Sequence, residues 1–269
     1  MKKIKIISGD QRQYYAWTYL RKMKYDVELV SNFKLQDTDI VLASTPFLKY
    51  GEYVNCDFQS AFPVETMIQL LKNGQMLFAG AIPESITRQF TDKGIIAIDL
   101  LKDSKIVWQN AYLTAEALLG KIITEIAFSL RNANIIILGF GRCGMNLALL
   151  FKGFQSIVYI YDHHEENRSR ASSFGFQTLS PKQLSAKLSE ADLLINTIPQ
   201  EILLPEQYEH FKKSCVLYDI SSFPYGLNRD LAETNALSLY TCPGLPGKYH
   251  PKTAGEIIAK KVISYLERM

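Results

Sequence analysis

Three glycines near the middle of the 269-residue chain, Gly139, Gly141 and Gly144, stand in a Gly-x-Gly-x-x-Gly spacing, and Asp162 follows 23 positions after the first. Glycines so spaced serve one kind of chemistry. The first permits a tight turn, the second lets backbone N–H groups approach a pyrophosphate at a helix N-terminus, and the third lets helix and strand pack closely. A carboxylate about twenty residues on is placed to accept hydrogen bonds from a ribose diol. The spacing alone is a weak signal, and its flanks give it weight. Asn134-Ile135-Ile136-Ile137-Leu138 reads as a strand buried on both faces, Met145 to Phe151 as an apolar helix, and Ile157 to Tyr161 as a second buried strand ending at Asp162. Arg142 and Cys143 lie inside the turn and go with it to the cofactor.

The rest of the chain supplies the scaffold. Residues 3 to 8, 27 to 30, 39 to 43, 75 to 80 and 94 to 98 read as strands, separated by helical stretches at 14–22, near 64–72 and at 84–91. Strands alternating with helices imply a parallel sheet with right-handed crossovers, so residues 1–112 form a flavodoxin-like α/β domain. Ligands of such sheets sit beyond the carboxyl ends of the strands, here the loops at Gly9 to Gln13, Ser44 to Pro46 and Gly80 to Ser85, which carry Arg12, Thr45 and Ser85. Arg12 is suited to a bidentate pair with a carboxylate. A long helix opens at Leu113-Thr114-Ala115-Glu116, with Thr114 as N-cap and Glu116 at the positive end of the dipole. Its start is expected in the cleft between two domains.

Residues 113–251 then form a Rossmann NAD(P)-binding domain. Ser180-Pro181-Lys182-Gln183 is a capping box opening a helix to Ser189. The strand Asp192 to Pro199 ends in Asn196, Thr197, Ile198 and Pro199, expected near a nicotinamide, and Cys215 to Ser222 repeats the pattern with Asp219 and Ser221. Ala236 to Thr241 is the last strand, followed by a rigid turn, Pro243 to Lys248, whose Gly244 is assigned to the cofactor. A helix over 252–269 packs back at the domain boundary. The fold class is thus α/β, with two doubly wound parallel sheets.

Composition narrows the function. A hydrophobic fraction of 47%, a charged fraction of 21% and a net charge of +3 describe a globular protein with no basic footprint for nucleic acid. The basic and apolar N-terminus breaks at Ser8-Gly9-Asp10, too short for a signal peptide or membrane span, so a cytoplasmic protein is expected. Cys56, Cys143, Cys215 and Cys242 include no Cys-x-x-Cys pair, and no two of the four histidines have i, i+4 spacing. Neither a disulfide framework nor a metal site is expected.

Several motifs together resemble the family of dipicolinate synthase A subunits, with its formate/glycerate dehydrogenase-like arrangement. They are Gly9-Asp10-Gln11-Arg12-Gln13, Thr114-Ala115-Glu116, Leu138 to Met145, Ile195-Asn196-Thr197-Ile198-Pro199, and Pro243-Gly244-Leu245-Pro246-Gly247 followed by Pro251-Lys252-Thr253-Ala254-Gly255. The resemblance implies NAD(P)-dependent oxidation of a dihydrodipicolinate or 4-hydroxytetrahydrodipicolinate-type ring to dipicolinate during sporulation, in the mother cell, with the flavoprotein-like B subunit of the synthase as partner. Homo-oligomerisation stays open. Where the family tends to carry a Gly-Ala-Arg-Ser-like segment, this chain has Tyr161-Asp162-His163-His164. Asp162 favours NAD, whereas the family resemblance favours NADP, with His163, Arg168 and Arg170 as the cations near a phosphate. Asn228 stands where the family tends to have aspartate.

For such a planar dicarboxylate, Arg12 and Lys252 are the carboxylate partners, and Thr45, Thr114, Ser222 and Thr253 the hydrogen-bonding supports. Glu116 is the first choice of base, with His250 as its alternative and Lys252 beside it in the catalytic group. Two rival functions remain: a 2-hydroxy-acid dehydrogenase, for which no cleft arginine with a carboxylate-held histidine is found, and a dinucleotide-binding regulatory protein without turnover.

Overall fold

The computed structural model describes residues 2–268. It divides into two compact units, one formed by the chain up to Asn110 together with the residues from Pro246 onward, the other by Ala111–Leu245.

The first unit runs β1 (Ile4–Ile7), α1 (Gln11–Lys22), β2 (Val27–Val30), β3 (Ile40–Leu42), a hairpin of β4 (Leu48–Lys49) and β5 (Tyr53–Val54), α2 (Val64–Leu70), β6 (Met76–Ala79), α3 (Glu84–Asp92) and β7 (Ile96–Asp99). Its five-stranded sheet has the order β2-β1-β3-β6-β7, parallel throughout. Strands β1, β3 and β6 are buried along their whole length; β3 and β6 are unbroken apolar runs, while β1 carries Lys5, whose ammonium pairs with Asp37. Alternate residues feed opposite faces: Val41, Leu77 and Ala79 join Met67 and Phe90 on one side, while Ile4, Ile6, Ile40, Leu42 and Phe78 join Ala16 and Leu20 on the other.

The long helix α4 (Ser104–Glu125) begins ten residues before the expected Thr114, and the division between the units falls inside it. Thr114 is therefore no N-cap, and Glu116 does not sit at a helix N-terminus. Ser104 opens the helix, and no Gly or Pro interrupts the run from there to Thr114 that would mark a later start.

The second unit continues with β8 (Asn134–Leu138), α5 (Arg142–Gly153), β9 (Ile157–Tyr161), α6 (Glu165–Ser173), β10 (Gln177–Leu179), α7 (Pro181–Lys187), β11 (Leu193–Asn196), β12 (Val216–Asp219), α8 (Arg229–Thr234) and β13 (Ser238–Thr241). Its six strands are parallel in the order β10-β9-β8-β11-β12-β13, the doubly wound dinucleotide-binding order. The capping box of α7 forms as expected, Ser180 and Gln183 exchanging side-chain to backbone hydrogen bonds.

Two helices close the chain, α9 (Leu245–Tyr249) and α10 (Pro251–Leu266). The expected turn over 243–248 is thus helical from Leu245. Residues 246–251, expected in the second domain, belong to the first unit, whose core takes in Ile258, Ala259 and Val262 of α10. Helix α10 crosses α1 at backbone contact, because a Cβ on Gly255 would lie 2.5 Å from the Arg12 carbonyl oxygen. Among the described residues no helix is long and apolar enough to cross a membrane.

Candidate functional site

In the second unit the strand order reverses between β8 and β11, and the loops leaving those two strands meet. Gly139 takes φ +97°, and a Cβ there would lie 2.4 Å from Thr197 Oγ1 and 2.9 Å from Ile198 Cγ1. Thr197 donates both its N–H and its hydroxyl to the Leu138 carbonyl at 2.9 Å, which locks the β11 loop against the glycine turn. A Cβ on Gly144 would come within 2.0 Å of the Gly139 oxygen, so helix α5 rests directly on the turn. Gly141 is different in kind. It is the N-cap of α5, no side chain caps it, and nothing lies within 4 Å of where its Cβ would be. Helix α5 thus opens on a glycine with free space beside it, an arrangement that fits the approach of a pyrophosphate. Arg142 is exposed on the first turn. Burial pushes the Cys143 thiol up to about 11, so it is protonated near neutrality and no nucleophile.

Asp162 closes this turn from the β9 side. It is 3% exposed, and its carboxylate accepts from the Phe140 N–H at 2.8 Å, Asn167 Nδ2 at 2.9 Å and the His164 N–H at 2.9 Å. A carboxylate has about four acceptor sites, so these three bonds leave about one. His163 is exposed, with Nδ1 3.8 Å from Asp162 Oδ1. Arg168 is half-buried and donates to the carbonyls of Asp162 and His163, and Arg170 is exposed and donates to that of Phe140.

Asn196 and Asp219 are fully buried and do not present their side chains to a ligand. Asp219 accepts from the Ser221 N–H and hydroxyl, the Gly226 and Leu227 N–H groups and Asn196 Nδ2, while Asn196 also pairs with both backbone groups of Ile198. Expected as cofactor contacts, Asn196, Asp219 and Ser221 instead form the scaffold of the loops after β11 and β12. The reason is chemical: a carboxylate at 0% exposure needs its partners inside the protein. These loops, with Thr241 and Pro243, enclose a cavity of about 850 Å³ that includes Pro199, Glu201, Tyr225, Asn228 and Arg229. Tyr225, Glu201 and Arg229 went unmarked in the sequence, since no motif spacing joins them. Ser222 and Gly244 are exposed on the flanking loops, and Thr114 and Glu116 lie within α4, the first buried and the second exposed.

In the first unit Arg12 is 8% exposed and already engaged. Nε lies 3.0 and 2.9 Å from the two Asp10 oxygens, and Nη2 donates to Asp10 Oδ2 and to the Thr45 carbonyl. The fork expected to grip a substrate carboxylate grips Asp10 instead, because Asp10, two residues earlier, is the N-cap of α1. Arg12 and Thr45 do meet, through the Thr45 backbone. Around them Gln13 and Ser44, each 2% exposed, and the Thr45 hydroxyl carry buried polar atoms with no hydrogen-bond partner among the described residues. Gln13 lies in a stretch already marked by its glycine and arginine, and Ser44 in a strand-end loop. Only the packing shows that both side chains point inward. His250 is half-buried just before α10, with Lys252 and Thr253 exposed in its first turn.

Residues 101–216 match the family model of the D-isomer specific 2-hydroxyacid dehydrogenase, NAD binding domain. The A subunit of dipicolinate synthase from Bacillus subtilis (strain 168) is 27% identical over 187 residues, which are 68% of this chain and 62% of that protein, so less than two thirds of the relative's length is spanned. The crystal structure of the dipicolinate synthase A subunit from Bacillus halodurans superposes with a TM-score of 0.86 at 23% identity, covering 98% of this chain and 97% of that one. A transhydrogenase from Sinorhizobium meliloti follows at a TM-score of 0.70 and 12% identity, over 99% and 94% of the two chains. A dehydrogenase-like protein with a nicotinamide-binding Rossmann unit, this chain resembles the A subunit of dipicolinate synthase in sequence and in fold.

Proposed function

We propose that the chain is the A subunit of a dipicolinate synthase, which works in sporulation together with a flavoprotein-like B subunit. The reaction oxidises a dihydrodipicolinate-type ring to pyridine-2,6-dicarboxylate. A 4-hydroxytetrahydro precursor first loses water, and the dihydro ring then loses one hydride and one proton. Bound NAD(P) supplies the hydride acceptor. The observation that carries the reading is the uncapped α5 N-terminus at Gly141, open within 4 Å, in a chain similar to a protein of that name.

The first-turn N–H groups of α5 hold the pyrophosphate, and Asp162 takes a ribose hydroxyl with its remaining acceptor site. Of the two cofactors, NAD fits better. A 2′-phosphate would meet the Asp162 carboxylate, while Arg168 Nη1 and Arg170 Nη2 already donate to backbone carbonyls. The proton leaves to Glu116 or His250, and Lys252 and Thr253 bind the substrate. Aromatisation is downhill, so positioning matters more than strong acid or base.

The test is to supply the purified chain with freshly generated 4-hydroxytetrahydrodipicolinate, with NAD or NADP, with and without the flavoprotein-like partner. Reduced cofactor and dipicolinate should accumulate together, faster with NAD. Cofactor binding without either product, even beside the partner, would defeat the reading and leave a dinucleotide-binding protein without turnover.

A further inference from the structure

Three buried polar atoms of the first unit without a hydrogen-bond partner among the described residues, Gln13 Oε1, Ser44 Oγ and Thr45 Oγ1, share one location. The strand order β2-β1-β3-β6-β7 reverses between β1 and β3; the loop leaving β1 holds Gly9 and leads into the first turn of α1 with Gln13, and the loop leaving β3 holds Ser44 and Thr45. This is where an open α/β sheet forms its ligand crevice. A Cβ on Gly9 would lie 2.7 Å from Ser44 Oγ and 3.3 Å from Gln13 Oε1, so the two side chains converge above a residue that has none. Thr45 Oγ1 lies 2.5 Å from the corresponding point on Gly80, in the loop after the next strand, β6. Three uncommitted hydrogen-bonding groups within one strand-end crevice are costly unless something is bound to them, since each orphaned buried group forfeits the bond it had with water.

The chemistry of the three groups selects the ligand. Two are hydroxyls able to donate, and the third is an amide that donates through Nε2 once turned about its last bond. Of the carboxylates flanking Gly9 in the structure, Asp10 is neutralised by the Arg12 fork and Asp57 accepts the Ser8 hydroxyl. A set of neutral donors beside a paired arginine accepts an anion with several oxygens and offers little to a cation. The geometry points to Gln13, Ser44 and Thr45 as a carboxylate cradle, with Gln13 and Ser44 as specificity-determining residues for the substrate. Arg12 is then a positioning residue, holding the Thr45 backbone through its Nη2. This deepens the proposed function and rests on it for the identity of the carboxylate, which is one of the two on the ring.

The experiment is calorimetric titration of the full-length chain and its variants with pyridine-2,6-dicarboxylate, succinate and lactate, and separately with NAD. Ser44→Ala and Gln13→Leu should each weaken pyridine-2,6-dicarboxylate binding about tenfold or more, the scale of a hydrogen bond to a charged group. NAD affinity should stay within about twofold, because the dinucleotide groups belong to the other unit. In turnover the same variants should raise KM with kcat little changed, the signature of lost uniform binding. Gln13→Glu keeps the size of the side chain and sets a carboxylate against a carboxylate, so it should lose binding even if Gln13→Leu unfolds. Thermal melts of each variant separate loss of fold from loss of site. Affinity for every carboxylate unchanged in folded Ser44→Ala and Gln13→Glu overturns the cradle, as does a wild-type chain that binds none of the three acids. Binding of lactate or succinate but not the pyridine dicarboxylate, weakened by these variants, supports the cradle while defeating the dipicolinate reading.

Discussion

Within the glycine fingerprint, two residues of the same type have opposite jobs. A Cβ on Gly144 would run into the Gly139 carbonyl, and one on Gly141 would meet nothing within 4 Å. Gly144→Ala drives a methyl into backbone that cannot retreat, so it should cost more than about 2 kcal/mol and lower the melting temperature of the second unit. Gly141→Ala has an ordinary backbone geometry, φ −73° and ψ −165°, and free space around it. It should melt with the wild type while weakening NAD binding by about tenfold, because the methyl occupies the approach of the pyrophosphate. Calorimetric titration beside thermal melts checks both, and equal NAD affinity in Gly141→Ala would move the cofactor elsewhere. The glycines were legible in the sequence because spacing and flanking strands mark them. The division of labour between them was not, since it depends on which atoms of other loops arrive nearby.

Among the elements, the loop between β12 and α8 hangs on a single carboxylate. Asp219 accepts five hydrogen bonds at 0% exposure. In Asp219→Asn an NH₂ group would face the N–H groups of Gly226 and Leu227 or those of Ser221. About 3 kcal/mol should be lost, with hydrogen exchange rising first at 221–228, where the 850 Å³ cavity is lined. The strands have a similar tie at their other end. Burial raises the Asp192 carboxyl, but Lys212 and the Asn134 N–H outweigh it and hold the group below its usual value. A carboxyl lowered in the folded state stabilises above its unfolded pKa, near 3.9, and loses that contribution as pH falls through the folded value. Asp192→Asn should therefore melt lower than the wild type at pH 7, by about 1 kcal/mol, with the gap closing below about pH 4. A gap that persists unchanged at pH 3 would assign the loss to packing. Strand ends and the capping box of α7 were readable from residue type. The start of α4 was not, because an acceptable N-cap at Thr114 sits inside a longer helix-compatible run.

For the molecule as a whole, the chain's last segment belongs to its first sheet. Ile258, Ala259 and Val262 fill the same cluster as Ile4, Ile6 and Leu20, and Gly255 lets α10 lie on the backbone of α1. Ending the chain after Leu245 removes that layer, and burying Ile258 and Val262 alone stabilises by roughly 3–6 kcal/mol. Most of a small domain's net stability goes with it. The truncated chain should lose the melting transition of the first unit and retain NAD binding in 111–245, as proteolysis and titration would show. Intact protection of residues 4–99 in the truncated chain would mean that the α10 contact contributes little.

Local pattern by itself determined the α/β class, the two parallel sheets, the dinucleotide turn and the return of a C-terminal helix, because apolar runs, glycine spacing and caps act over a few residues. Only the tertiary structure decided which polar residues are committed and which are available. Asp10 takes the Arg12 fork, Asp219 turns inward to organise a loop, and Gln13 and Ser44 converge above Gly9 with polar atoms that no described residue satisfies. A side chain's availability depends on the donors and acceptors that distant strands bring within about 3 Å, and sequence order does not encode that distance.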